Sequence, residues 1–281
     1  MLVFALATTG VWLIASAGAS GDSAGREFPP STASPGERPS QAAIATSSLA
    51  TRSDLSPSQP PTATPEADAN VALTQEASAE LECASSSGEA DLLAVVDKKN
   101  GLERDYAPAD LVELELNFRN SYYGLPTLVR QPAVEPLLSL LEAMNAADLR
   151  PKVISAYRSY GEQAVAYEKW LNFDPERGPN LSAPPGYSEH QLGTAVDFGS
   201  PELEYRFHTR FGQTAEGQWL HQHAAEYGFT LSYPDWAVEQ TGYEWEPWHY
   251  RYVGRELAQQ LTARGLTLSA YLAECASKGD E

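Results

Sequence analysis

The sequence predicts an α+β fold for the second part of the chain, preceded by a long tail without regular structure. Two kinds of segment predict the fold: short apolar runs of strand length, and longer stretches in which apolar residues recur with helical spacing. The regular strand–helix–strand alternation that is typical of parallel sheets is missing. The chain has 281 residues and is 42% hydrophobic, which is enough for one substantial domain plus additional sequence.

The folded part begins near Asp91 and contains both kinds of segment. The clearest helix is predicted over 132–149, where apolar residues at 134, 137, 138, 141 and 144 form one stripe. Residues 108–116 fit either a short helix or an extended segment, and the Pro- and Gly-rich residues 174–188 predict a loop. The other expected helices cover 161–173, 214–229, 254–265 and 267–275. Strands are expected at 92–97, 152–157, the end of 189–198, 230–234 and 250–253.

The first 82 residues predict an export signal followed by a tether. Residues 2–19 are apolar and end in Ala17-Gly18-Ala19, a pattern suited to signal peptidase. No Lys or Arg precedes the apolar run, so an uncleaved membrane anchor is an alternative to a signal peptide in residues 1–19, and a buried helix is a third. Residues 20–82 are rich in Ser, Pro, Thr and Ala and predict a disordered tether. We expect the remaining domain, 83–281, outside the cytoplasm: in the periplasm, the cell envelope or the medium.

Charge and cysteine content narrow the function classes further. The formal net charge of −19 argues against a nucleic-acid partner, because phosphate binding requires Lys and Arg. The two cysteines, Cys83 and Cys275, stand at the start and near the end of the folded part. In an exported protein such a pair predicts one disulfide, with two unpaired thiols as the alternative.

Two of the five histidines stand in patterns that suit a metal site. His221 and His223 lie two apart on a predicted helix, so they point to different faces. His190 ends the Pro- and Gly-rich loop, and Asp197 follows on a predicted strand. His249 precedes another predicted strand. Two imidazoles and one carboxylate form a typical catalytic zinc set, although such residues occur by chance in most chains of this length.

The order of these residues resembles the VanY-type zinc D-alanyl-D-alanine carboxypeptidase family, with its VanX-type dipeptidase relatives. The family pattern S-x-H-x6-D matches Ser188, His190 and Asp197, and E-x-W-H matches residues 246–249. Residues 155–163, "SAYRSYGEQ", resemble a further family segment. The resemblance covers roughly residues 91–263. It implies the fold shared with the hedgehog signalling domain, a small central antiparallel sheet flanked by helices.

The resemblance also implies a role for each matching residue. His190, Asp197 and His249 would bind Zn²⁺. Glu246 would be the general base for attack by metal-activated water, and Arg158 would hold the scissile carbonyl and its developing oxyanion. The remaining matches would hold the substrate: Gln163, Ser188 and Tyr243.

The sequence therefore predicts an exported, monomeric zinc D,D-carboxypeptidase that removes the terminal D-Ala from peptidoglycan stem peptides. An L,D-carboxypeptidase or an endopeptidase of the same family is the nearest alternative. A non-catalytic zinc-binding module that docks on the cell wall is the alternative from another class. Glu246 and Arg158 argue against that module, because binding alone requires no base.

Overall fold

The computed structural model describes residues 92–115 and 124–279. The predicted signal or anchor (1–19), the predicted tether (20–82) and Cys83 lie outside these residues. Within the described ranges, no helix is both long enough and apolar enough to cross a membrane.

A four-stranded antiparallel sheet, in the order β3-β4-β6-β5, is the centre of the domain. Its strands are β3 (Lys152–Ser155), β4 (Ala195–Gly199), β5 (Phe229–Leu231) and β6 (His249–Tyr252). A separate antiparallel pair joins β1 (Leu111–Glu113) to β2 (Leu128–Arg130). The helices are α1 (Gln131–Ala146), α2 (Tyr160–Phe173), α3 (Gly178–Leu181), α4 (Ala215–His223), α5 (Val238–Thr241), α6 (Arg255–Arg264) and α7 (Leu268–Gly279).

Side-chain alternation gives the central sheet one apolar and one polar face. Successive residues of a strand point to opposite sides. Val196 and Phe198 of β4 and Tyr250 of β6 therefore enter the main hydrophobic core. Asp197, between the two core residues of β4, and His249, directly before Tyr250, point to the other face, where they are direct partners across the β4–β6 pairing. The packing of the core thus fixes which face carries these polar side chains.

Two hydrophobic clusters hold the helices on the sheet. The main cluster combines the buried stripe of α1, Leu137, Leu140 and Met144, with the apolar side of the sheet. The second cluster is formed by α6, α7 and the residues around them, and Leu93 packs against it. The start of the described chain is therefore anchored on the C-terminal helices.

The α+β prediction is confirmed, including the antiparallel sheet with helices around it. The helices predicted over 132–149 and 161–173 form close to their expected bounds as α1 and α2. Residues 108–116 contain an extended segment, β1, and no helix. Within 214–229 the single expected helix is divided into α4 and a 3-10 turn over Ala224–Tyr227, and Gly228, at φ 84°, ends that turn.

The strand predicted at 92–97 is wrong. Residues 92–100 form turns and irregular backbone, although Leu92 and Val96 are buried as a strand pattern would suggest. The carbonyls of Leu92 and Ala94 accept hydrogen bonds from the guanidinium of Arg251. This side chain takes the place of a neighbouring strand as hydrogen-bond partner.

We predict that Gly217→Ala destabilises the domain by about 1–3 kcal/mol, because overpacking forces backbone to shift. A Cβ at Gly217 would lie 1.9 Å from the carbonyl oxygen of Phe211, which already accepts two hydrogen bonds from Thr214. Gly161→Ala in α2 is the control, because a Cβ there meets nothing within 4 Å. Urea unfolding should show a large loss of unfolding free energy for Gly217→Ala only. Equal urea midpoints for Gly217→Ala and Gly161→Ala would contradict the prediction.

Candidate zinc active site

The three predicted metal ligands converge on the polar face of the central sheet. Asp197 stands in the middle of β4 and His249 begins β6, while His190 lies in a 3-10 turn over Glu189–Leu192. One possible ligand atom from each residue can be chosen so that all three lie within 4.8 Å of one another. All three residues are buried.

The local sequence forces the chain to turn sharply between His190 and Asp197. Ser188 starts the turn, with its Oγ accepting a hydrogen bond from the backbone N–H of His190. Gly193 ends it in the left-handed conformation, at φ 71°. A Cβ at this glycine would lie 2.7 Å from Cδ2 of Leu111. Glycine is therefore favoured by the left-handed backbone angle and leaves room for the Leu111 side chain of β1.

Each histidine uses one ring nitrogen to bond to the protein and turns the other toward Asp197. Nδ1 of His190 lies 2.7 Å from the carbonyl oxygen of Ala156, and Nε2 lies 3.1 Å from Oδ2 of Asp197. For His249 the nitrogens are exchanged. Its Nε2 lies 3.0 Å from Oε2 of Glu189, and its Nδ1 lies 3.0 Å from Oδ1 of Asp197. Outer hydrogen bonds of this kind orient metal-binding histidines.

The donor set fits zinc. Two imidazole nitrogens and one carboxylate, each with a fixed orientation, form the three-ligand set of catalytic zinc sites, which keep a further position open. Burial lowers the pKa of His190 to about 4, and nearby Arg158 adds to this, so the ring is neutral as a ligand must be. Burial raises the pKa of Asp197, but His190 and His249 outweigh it and hold that pKa below its usual range.

The surroundings of His249 concentrate negative charge at the site. Burial lowers the pKa of its imidazole, but hydrogen bonds to Asp197 and Glu189 outweigh burial and raise the pKa to about 10. Glu189 is also ionised. Burial raises its pKa, yet Arg251 and His249 reverse the shift and lower it to about 2. Two ionised carboxylates on either side of the ring favour a positive charge at this position, carried by a proton on the imidazole or by a metal ion that replaces it.

Glu246 lies beside the three ligands without belonging to them. A tight turn links it to His249, whose backbone N–H donates to the carbonyl of Glu246. Its Oε2 is 3.7 Å from Nδ1 of His249. Burial raises the pKa of Glu246 to about 8, an effect opposed by His249 and Arg158 and supported by Asp197 and Glu189. A carboxyl group with a pKa near neutrality can both accept and return a proton.

Arg158 is held rigidly toward the same site. It precedes the capping box of α2, in which Ser159 and Glu162 bond to each other's backbone N–H groups. Its Nη1 donates to the hydroxyl of Ser155 and lies 3.7 Å from Oδ2 of Asp197. Its Nε donates to Oε1 of Gln163 at 2.8 Å. The guanidinium is thus a fixed cation that faces the ligands.

The three residues predicted to bind the substrate, Gln163, Ser188 and Tyr243, do not all lie in the same cleft. Ser188 and Tyr243 line a cleft of about 440 Å³ together with Arg158, Glu246 and the three ligands. Gln163 does not line this cleft: its Oε1 accepts from Arg158, and its Nε2 donates to the carbonyl of Ala183 at 2.7 Å. Tyr243 carries a buried hydroxyl that has no hydrogen-bond partner among the described residues. Of the three, Gln163 is placed to orient Arg158.

Sequence reasoning missed three residues of the site. Glu189 and Arg251 form a buried ion pair behind His249, and the ring of Tyr233 packs against His249 at a tilt of 40°, with ring centroids 4.8 Å apart. Glu189 directly precedes His190, and Arg251 lies two positions after His249 on the polar face of β6. Their positions next to the ligands in the sequence could have indicated a role in the site. Charged and aromatic residues are, however, often found beside a ligand without having such a role.

The VanY family model, described as D-alanyl-D-alanine carboxypeptidase, matches residues 126–255. YodJ of Bacillus subtilis (strain 168) is 35% identical over 182 residues, which are 64% of this chain and 67% of YodJ. VanXYC of Enterococcus gallinarum, a bifunctional D-Ala-D-Ala dipeptidase and D-Ala-D-Ala carboxypeptidase, is 31% identical over 64% of this chain and 92% of its own length.

The chain belongs to the VanY carboxypeptidase family.

Solved structures related to the VanY family agree in fold. The LdcB LD-carboxypeptidase is 34% identical, with a TM-score of 0.57 over 65% of this chain and 86% of LdcB. VanYB in complex with D-alanine-D-alanine is 30% identical, with a TM-score of 0.54 over 64% of this chain and 97% of VanYB. A further VanY structure contains Zn(II). The predictions of the family, of a zinc metallopeptidase and of zinc as the metal are confirmed. The roles of individual residues stay predictions.

We predict that Gln163→Leu lowers kcat/KM roughly 10- to 100-fold, because Arg158 loses the acceptor that aims it. Zinc affinity should stay unchanged, since Gln163 contacts no ligand. Gln240→Leu is the control for the loss of a side-chain amide: Gln240 is exposed, and its amide donates to Thr267. Steady-state hydrolysis of a peptide ending in D-Ala-D-Ala, with zinc content measured in parallel, checks this. A normal kcat/KM in Gln163→Leu would contradict the assignment.

Proposed function

We propose that this chain is an exported zinc D,D-carboxypeptidase that removes the terminal D-Ala from peptidoglycan stem peptides. One observation carries the proposal: the cluster of His190, Asp197 and His249 shares a cleft with Glu246 and Arg158. A zinc-binding module without activity would not require a carboxylate beside the ligands or a fixed cation opposite it. Both groups are buried at a cost that binding alone would not offset.

Each residue of the site has a separate role in the proposed reaction. When bound, zinc supplies a Lewis acid that lowers the pKa of water toward neutrality. Glu246 takes the proton from the attacking water and returns it to the leaving amine of D-Ala, because its carboxylate lies beside the ligands without belonging to them. Arg158 faces the carbonyl oxygen as negative charge develops on it. Ser188 and Tyr243, on the cleft wall, bind the terminal carboxylate.

An L,D-carboxypeptidase is the second candidate. It is supported by the similarity to LdcB, at 34% identity. On this site the two activities would use the same metal, base and arginine, and they differ in the configuration of the residue before the scissile bond. The bifunctional VanXYC, in turn, supports activity on D-Ala-D-Ala. We therefore place the D,D activity first.

The test is D-Ala release from purified muropeptides, followed by mass spectrometry. We expect the zinc-loaded protein to convert the pentapeptide to the tetrapeptide. Glu246→Gln should lower kcat roughly 10²- to 10⁴-fold, because the proton acceptor is lost. Glu239→Gln, an exposed acid on α5, should behave as the wild type.

The peptide that is cut distinguishes a D,D-carboxypeptidase from an L,D-carboxypeptidase and from an endopeptidase. Release of D-Ala from the tetrapeptide but not from the pentapeptide would replace the D,D proposal by the L,D activity. If neither peptide is cut with zinc present, the proposal of a carboxypeptidase is wrong. Cleavage of cross-linked dimers alone would indicate an endopeptidase.

We further propose export and one disulfide. The apolar residues 2–19 and the following tether support export, with residues 1–19 acting as a signal peptide or a membrane anchor. Cys275 lies on α7 and packs against the second hydrophobic cluster. Its proposed partner, Cys83, lies outside the described residues. A Cys83–Cys275 bond would tie the start of the folded part to its last helix.

We predict that protein recovered from the cell envelope or medium yields a single Cys83–Cys275 peptide pair in a non-reducing mass map. Reduction should lower the free energy of unfolding by roughly 2–5 kcal/mol, because the bond restricts the unfolded chain. The Cys83→Ser/Cys275→Ser variant is the control, and reduction should not affect its stability. Two titratable thiols in the exported protein, or recovery from the cytoplasm alone, would contradict the proposal.

A further inference from the structure

A buried ion pair behind the metal site has no task in the reaction described above. Glu189 and Arg251 are 6% and 1% exposed. Nη1 of Arg251 donates to Oε1 of Glu189 at 2.8 Å. Replacing such pairs by apolar residues is often neutral or stabilising, so stability alone is a weak reason for burying two charges.

Glu189 is placed to determine which nitrogen of His249 carries a proton. Its second oxygen, Oε2, lies 3.0 Å from Nε2 of His249. An ionised carboxylate only accepts hydrogen bonds, so Nε2 must be the donor. In the neutral imidazole the free electron pair is then on Nδ1, the nitrogen that faces Asp197 at 3.0 Å. This is the tautomer that can bind a metal beside Asp197.

Arg251 is held in turn by the leading segment, which we define as residues 92–100. Nη2 of Arg251 donates to the carbonyl of Leu92 at 2.7 Å and to that of Ala94 at 2.8 Å. The leading segment also reaches the cleft wall. Nζ of Lys98 donates to Oδ1 of Asn180 at 2.7 Å and lies 4.7 Å from the ring centre of Tyr243. The leading segment precedes the residues 126–255 that the family model matches.

We propose that Glu189 and Arg251 are positioning residues that hold His249 in its metal-binding tautomer, and that the leading segment belongs to the metal site because it fixes Arg251. The contacts form one continuous chain from the backbone of Leu92 and Ala94 through Arg251 and Glu189 to His249. This inference rests on the zinc site of the proposed function but not on the identity of the peptide that is cut.

The decisive variant is Glu189→Gln, measured in the full-length protein. A glutamine that still accepts from Arg251 turns its NH₂ group toward Nε2 of His249. That nitrogen must then accept, and the proton moves to Nδ1, where it blocks metal binding. In the opposite orientation, the NH₂ group of the glutamine faces the guanidinium of Arg251, so two hydrogen-bond donors face each other. In either case we expect zinc to bind 10- to 100-fold more weakly, the usual range for losing such a partner.

Two readouts separate positioning from a merely structural role. The zinc dissociation constant is measured by competition with a chromophoric chelator, and the visible absorption of the Co²⁺-substituted protein reports ligand geometry. Glu216→Gln is the matched control: Glu216 is also buried and accepts from Ser200 at 2.8 Å and from the backbone N–H of Arg150 at 3.1 Å. It should leave zinc affinity and the Co²⁺ spectrum unchanged even if it lowers stability.

Arg251→Lys tests the link to the leading segment. A lysine can still pair with Glu189 but cannot also satisfy both carbonyls of the leading segment. We expect a folded protein, by circular dichroism, with a weakening of zinc binding intermediate between wild type and Glu189→Gln. The inference is overturned if Glu189→Gln is folded and binds zinc within twofold of the wild type. A failure to release D-Ala from any peptide would leave these binding results unaffected, so the two proposals fail separately.

Discussion

The antiparallel pairing of β4 with β6 is the constraint on which the rest of the site depends. It sets Asp197 directly opposite His249, and the next residues along, Phe198 and Tyr250, enter the core on the other face. A slip of one residue in this register would turn the ligands into the core and the aromatic rings into the cleft. The core and the metal site therefore specify the same register, and neither can vary without the other.

Charge balance explains much of the remaining architecture. Three carboxylates, Glu189, Asp197 and Glu246, are buried close together with two guanidinium groups, Arg158 and Arg251. Burying ions without partners is costly, so both arginines must be held in place. Arg158 is held by Ser155 and Gln163, and Arg251 by the backbone of the leading segment. With all three acids ionised, these five groups carry a net charge of −1, which favours a bound cation at the site.

Much of this arrangement could be predicted from the sequence, for identifiable reasons. The helices α1 and α2 follow from apolar spacing. The ligand set follows from the spacing of His190, Asp197 and His249 together with the family resemblance. The leading segment could not be predicted, because its strand-like apolar pattern hides the fact that its carbonyls bond to a side chain, that of Arg251. Glu189 was missed for a related reason: its role depends on a residue that is 60 positions away.

The division between the central sheet and the segments outside it indicates where specificity in this site originates. The ligands and the base stand on or directly beside β4 and β6, and Arg158 is fixed by the start of α2. In the proposed reaction, these groups perform the chemistry that D,D and L,D cleavage share. Much of the remaining cleft wall comes instead from residues 181–188 and 233–243, which contain no β-strand. Within that wall, the hydroxyl of Tyr243 is buried and has no partner in the described part of the chain. Since an unpaired buried hydroxyl is costly, a ligand that bonds to it gains more than one that does not. Segments outside the sheet can change their contacts without disturbing its register, so substrate choice can diverge while the metal chemistry is kept.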